Sequence, residues 1–178
     1  MKIINYKELF VFDRVKKTGF LQDFISGINI ISGRNTSGKS TLIQSLLYVF
    51  GINDEKENLE DIITDFTVFS LRFEIENNGV KSEYTIIRES DNVYVKSPNG
   101  RVDSFRGVSS NISIEHTKLK VFVSELFGFS LYLEQQGKMK PASLEVMFLP
   151  YYVSQSVGWV YLRSSFSNLN FYKNFKED

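Results

Sequence analysis

Gly33-Arg34-Asn35-Thr36-Ser37-Gly38-Lys39-Ser40 meets the pattern G-x-x-x-x-G-K-[ST], and the rest of the chain is read outward from it. Each fixed position has a chemical reason. Glycines let the backbone curl until successive N–H groups point at phosphate oxygens, and a helix beginning at the lysine adds the positive end of its dipole. Lys39 would reach the β and γ phosphates, and the Ser40 hydroxyl would ligate magnesium. Gly33, Arg34, Asn35, Thr36, Ser37, Gly38, Lys39, Ser40 and Thr41 are therefore the expected binding set for ATP with Mg2+. Arg34 could serve phosphate or a partner. Four fixed positions arise by accident about once in a few hundred chains of this length, so the sequence on either side carries the decision.

Upstream, Gly27-Ile28-Asn29-Ile30-Ile31-Ser32 reads as a strand apolar enough to lie buried in a sheet. Downstream, Leu42, Ile43, Leu46, Leu47 and Phe50 recur at helical spacing, and Gly51 with Asn53 and Asp54 stops the helix. Strand, loop and helix follow in the order that a phosphate loop requires. Further upstream, Lys2–Tyr6 and Leu9–Phe12 read as short strands.

Beyond residue 66 the period changes. Phe69, Leu71, Phe73 and Ile75 alternate with polar residues, Asn77-Asn78-Gly79 signals a hairpin, and Val80 to Arg88 returns. Turns at Asp91-Asn92 and Ser97-Pro98-Asn99-Gly100 flank Val93-Tyr94-Val95. The segment is an antiparallel meander beside the nucleotide-binding sheet. Lys118 to Phe127 is helical with Gly128 as its stop, Gln135 to Lys138 reads as loop, and Val146 to Leu149 reads as a strand ended by Pro150. Ser164 to Asp178 would form a last helix.

Composition narrows the class. The 178 residues suit one domain with its own core, and 42% apolar with 24% charged residues is the globular range. Twenty-one basic and 21 acidic side chains cancel, so no domain-wide field favours nucleic acid. With no Cys, disulfides and thiolate metal sites are excluded. No run has the length of a membrane span or the form of a signal peptide, and the expectation is a cytoplasmic protein without membrane partners.

Gly-Arg-Asn-Thr-Ser-Gly-Lys-Ser-Thr (33–41), followed by Leu-Ile-Gln-Ser-Leu-Leu-Tyr-Val-Phe-Gly (42–51), resembles the N-terminal head segment of SMC-like ATPases. These are ABC-class P-loop proteins that include the RecN and RecF types and coiled-coil ATPases of bacterial anti-phage systems. Asn35 and the Tyr48-Val49-Phe50-Gly51 ending fit the family's G-x-N-x-x-G-K-S-T loop and its apolar helix. Pro150 to Trp159 resembles the family's Q-loop. The resemblance implies that Gln155 contacts magnesium and the attacking water, making Lys39 and Gln155 the catalytic candidates and Ser40 and Gln155 the metal ligands. Ser154 and Ser156 stand where defence-type members often carry Asp. The implied fold is α/β, a P-loop NTPase head N-lobe with a peripheral antiparallel β-meander. It is expected as a single lobe over 1–178, with residues 1–65, 66–105 and 106–178 as its parts.

Walker B, the serine-glycine signature and the switch histidine of that family have no counterpart in this sequence. The resemblance places them beyond a long coiled coil, so the chain is expected to bind nucleotide but hydrolyse it only with a C-terminal ATPase lobe. A second SMC-like head, oligomerisation and DNA are the further partners implied, in DNA maintenance, repair or anti-phage defence. A non-catalytic nucleotide-binding regulatory module or degenerate remnant is the alternative. A GTPase is disfavoured because no N-K-x-D string is present. His116 reads as a helix-start or surface residue, and the basic groups Arg14-Lys16-Lys17 and Lys138-Lys140 as solvated loops.

Overall fold

The computed structural model describes residues 2–34, 37–53, 59–110, 113–135, 137–142 and 144–148. Asn35, Thr36, Asp54, the expected Q-loop with Gln155, and the expected last helix over 164–178 lie outside them. Two compact units are present, one through Phe122 and one from Val123 onward.

The first unit is built on a six-stranded, wholly antiparallel sheet. Its strands are β1 (Lys2–Asp13), β2 (Thr18–Asp23), β3 (Thr67–Asn77), β4 (Val80–Glu89), β5 (Asn92–Lys96) and β6 (Val102–Arg106), in the order β2-β1-β3-β4-β5-β6. The expected meander is therefore continuous with the N-terminal strands: β1 pairs along β3 from Lys2↔Asn77 to Asp13↔Thr67. The two expected strands in residues 2–12 are one strand, because an irregularity between Tyr6 and Glu8 shifts the register without ending the pairing.

Alternation sets the faces. Phe69, Leu71, Phe73 and Ile75 of β3 are buried, as are Ile86, Val93, Val95 and Phe105 on the neighbouring strands. This face receives the helix α1 (Lys39–Val49), with Tyr48 edge-on to Phe69 at 5.0 Å and Phe50, just past the helix, edge-on to Phe73 at 5.8 Å. Each such aromatic pair adds about 0.5–1.5 kcal/mol beyond its buried area. The other face carries ion pairs, among them Arg72–Glu8 at 3.2 Å and Lys81–Glu74 at 3.1 Å.

α1 ends in a Schellman turn. Ile52 N–H donates to Leu47 O, Gly51 N–H donates to Tyr48 O, and Gly51 adopts φ 92°. A Cβ at Gly51 would stand 2.8 Å from Leu119 Cδ2, on the helix α2 (Ile114–Phe127). His116, in the first turn of α2, is fully buried, with Nε2 2.8 Å from Gly51 O. It is the helix-start residue expected, placed in the core.

Residues from Val123 onward complete α2 and add a hairpin of β7 (Tyr132–Gln135) and β8 (Lys138–Pro141), then a one-turn helix α3 (Leu144–Phe148). Two expectations change here. Gln135 and Lys138 pair across the hairpin instead of lying in a loop, since Gly137 at φ 74° supplies the tight turn. Val146 to Phe148 are helical, and Leu144, at the start of the same turn, is fully buried. A short apolar run carries no period long enough to separate the two states.

Candidate functional site

The apolar stretch before the glycine-rich loop is the largest departure from the sequence reading. Residues 27–32 form no strand among the described residues, and Ile28 and Ile30 are 87% and 89% exposed. Asn29 anchors the start of the segment: its Oδ1 accepts from Ile25 N–H and its Nδ2 donates to Ile25 O, both at 2.9 Å. A buried strand needs partners on both edges, and here none of the described strands supplies one.

Of the loop, Gly33, Arg34 and Ser37 to Thr41 are among the described residues. Gly38 is the N-cap of α1 at φ 82°, a left-handed conformation that a side chain would resist, and no side chain caps the helix. The first intrahelical bond runs from Leu42 N–H to Gly38 O at 2.9 Å. A helix N-terminus without a side-chain cap presents N–H groups that suit an anion. α1 bears no acidic residue in its first turn that would oppose an anion.

Lys39 folds over this end. Its Nζ donates to Gly33 O at 2.9 Å, to Arg34 O at 2.6 Å and to Ser37 Oγ at 3.3 Å. The ammonium is thus parked on the loop's own oxygens. Ser40 and Thr41 follow in the first turn, both half-buried. Space at Gly33 is tight: a Cβ there would meet Ser37 Oγ at 2.5 Å, so the Ser37 side chain would have to turn away. Arg34, exposed, enters this network through its carbonyl.

A cleft of about 520 Å³ opens from the loop toward the β1–β2 hairpin. Ser37, Gly38, Lys39 and Thr41 line one end, Val11, Phe20, Leu42 and Ile62 supply apolar wall, and Asp13 and Lys16 come from the hairpin. The N–H groups of Lys16 and Val15 hold the Asp13 carboxyl below its usual range, the Lys16 bond contributing most. β2 lines this cleft through Thr18, Gly19, Phe20 and Gln22. Sequence reasoning missed that strand, because Gly19 and two adjacent apolar residues break its alternation. The basic group beside it is not a free patch, since Arg14 pairs with Glu89 and Lys16 Nζ lies 3.7 Å from Asp13 Oδ2.

Among the described residues no group of three or more His, Cys, Asp or Glu could hold a metal ion. Magnesium bound with a triphosphate needs less, because it keeps waters and takes most of its oxygens from the phosphates. One hydroxyl at the start of α1, that of Ser40, fits that demand.

A sequence profile described as an AAA domain matches residues 8–148, which takes in the hairpin, loop, α1, sheet and α2. The chain belongs to the AAA domain family. The Lamassu protein LmuB of Bacillus cereus (strain VD014) is 33% identical over 172 residues, covering 95% of this chain. The chain spans 28% of the length of that relative. These findings bear out the resemblance to SMC-like AAA ATPases read from residues 33–51. Among the described residues no helix is long and apolar enough to cross a membrane.

Proposed function

We propose that this chain is the ATP-binding N-terminal lobe of an SMC-like ATPase, acting in DNA maintenance, repair or anti-phage defence from the cytoplasm. The observation that carries the reading is the uncapped N-terminus of α1, with Lys39 held over it at the head of a cleft large enough for a nucleotide. The triphosphate would lie along residues 33–41, and Lys39 would exchange its loop carbonyls for β- and γ-phosphate oxygens. Ser40, and Gln155 by the family resemblance, would hold magnesium, which supplies charge neutralisation on the phosphates. The apolar walls at Val11, Phe20, Leu42 and Ile62 suit the nucleoside.

The reading includes a C-terminal lobe that brings the residues for hydrolysis. The exposed segment 27–32 supports it, since Ile28 and Ile30 offer apolar side chains that no strand among the described residues covers. The fraction of the relative that the chain covers supports it too. LmuB is named as a Lamassu protein, which favours the defence branch of the proposal.

Calorimetry with Mg-ATP and Mg-GTP tests the site, with Lys39→Ala as the control. The proposal expects ATP binding that weakens about 10- to 100-fold in the variant, as loss of a charge-assisted hydrogen bond implies. A folded wild-type chain that takes up no nucleotide, or an unaffected variant, would sink it.

A further inference from the structure

We propose that Arg88, on β4, is a positioning residue for the phosphate site, acting through the far end of α1. This rests on the nucleotide-binding reading above and adds to it the device that sets the loop's geometry.

Arg88 is fully buried, and none of the ion pairs among the described residues includes it. Its Nη1 donates to Tyr48 O at 2.6 Å and its guanidinium lies 3.5 Å from the centre of the Tyr48 ring. Tyr48 stands in the last turn of α1, which has no basic residue of its own. Arg88 therefore brings the cation that the negative end of that helix lacks. Its Nη2 donates to Asn53 Oδ1 at 2.8 Å, and Asn53 Nδ2 donates onward to Val108 O at 3.0 Å. One buried network thus ties the end of α1 to β4 and to the loop after β6.

Stability alone is a poor account of this arrangement. A buried charge costs desolvation, and an apolar side chain of similar volume is often as stable. Burial shows its cost in the guanidinium, whose pKa is pulled down to about 10. What the network supplies is a fixed position. α1 is a rigid rod of about 16 Å, so an error in its seat at Tyr48 reappears at Gly38 and Lys39, where donors must meet phosphate.

The test compares Arg88→Met and Arg88→Lys with Val95→Ala, a buried β5 substitution outside the network, at matched loss of thermal stability. Two readouts are taken: Mg-ATP affinity, and amide hydrogen exchange of residues 37–42 without nucleotide. The expected result is affinity lower by about tenfold in both Arg88 variants, with exchange in 37–42 raised above that of Val95→Ala. Should an Arg88 variant fail to fold, Asn53→Ala removes the bond from Arg88 Nη2 and the link to Val108 O while leaving Arg88 on Tyr48 O, and is read in the same way. Equal affinity and equal exchange in the Arg88 and Val95 variants would overturn the proposal. If the wild-type chain binds no ATP, the nucleotide reading falls, and the exchange comparison still decides whether Arg88 positions the loop.

Discussion

Replacing Gly51 by alanine tests how tightly the end of α1 is locked to its surroundings. Two costs act at once. Gly51 sits at φ 92°, a region where a side chain costs about 1–2 kcal/mol. The added methyl would also stand 2.8 Å from Leu119 Cδ2, and Leu119 is fully buried. Its side chain cannot swing into solvent, so overpacking adds about 1–3 kcal/mol. Together they predict a loss of roughly 2–5 kcal/mol, or roughly 5–15 °C in Tm for a chain of this size. Urea and thermal unfolding of Gly51→Ala measure it. Leu119→Ala removes the obstacle at its own cost, so the double variant should lose at least about 1 kcal/mol less than the sum of the singles. A single variant within about 0.5 kcal/mol of wild type, or strict additivity, would refute the reasoning.

Burial pushes the Tyr6 phenol up to about 12. The folded protein then keeps a proton that the unfolded chain releases near pH 10, so stability present below pH 10 is lost as pH rises toward 12. The difference amounts to roughly 2 kcal/mol, and Tyr6→Phe should be flatter by that amount between pH 10 and 12 in pH-dependent unfolding. Arg88, with its pKa pulled down to about 10, acts in the opposite sense over this range; it is common to both proteins and cancels in the comparison. Ile28→Ser and Ile30→Ser should each change the urea midpoint of this chain by no more than about 0.5 kcal/mol in stability, because both side chains stand in solvent. A loss of about 2 kcal/mol or more, as in a packed core, would show that the segment is covered.

The phosphate loop, α1 and the β3–β5 hairpins were legible because their signals are local. Gly38-Lys39-Ser40 names its own chemistry, Leu42, Leu46 and Leu47 keep one helical period, and Asn78-Gly79 dictates a tight turn. Residues 27–32 depart from their expected strand for the opposite reason. Ile28, Ile30 and Ile31 have the composition of a buried strand, but burial depends on a partner that composition does not supply. β7 and β8 were hidden by Gln135 and Lys138, polar residues that sit easily in a two-stranded hairpin. α3 was hidden by its shortness. At the site, the loop residues carry a motif of their own, while the hairpin wall at Thr18 to Gln22 does not. Its strand is defined by pairing with β1, Phe10 opposite Leu21 and Phe12 opposite Gly19, and not by a pattern of its own. Nor could sequence place Arg88, an alternating polar residue of β4 that happens to face inward.

The strand order also sets a sequence of events during folding. β3, β4 and β5 each pair with the next strand along the chain, so that this part of the sheet can zip up by short, inexpensive closures. β1 must instead find β3 across the whole stretch that holds the glycine-rich loop and α1, with Asp13 meeting Thr67. The segment that would grip phosphate is thus strung between two strands whose meeting is the slow, long-range step. This topology predicts that the glycine-rich loop and the start of α1 are fixed late, on a scaffold of β3 to β6.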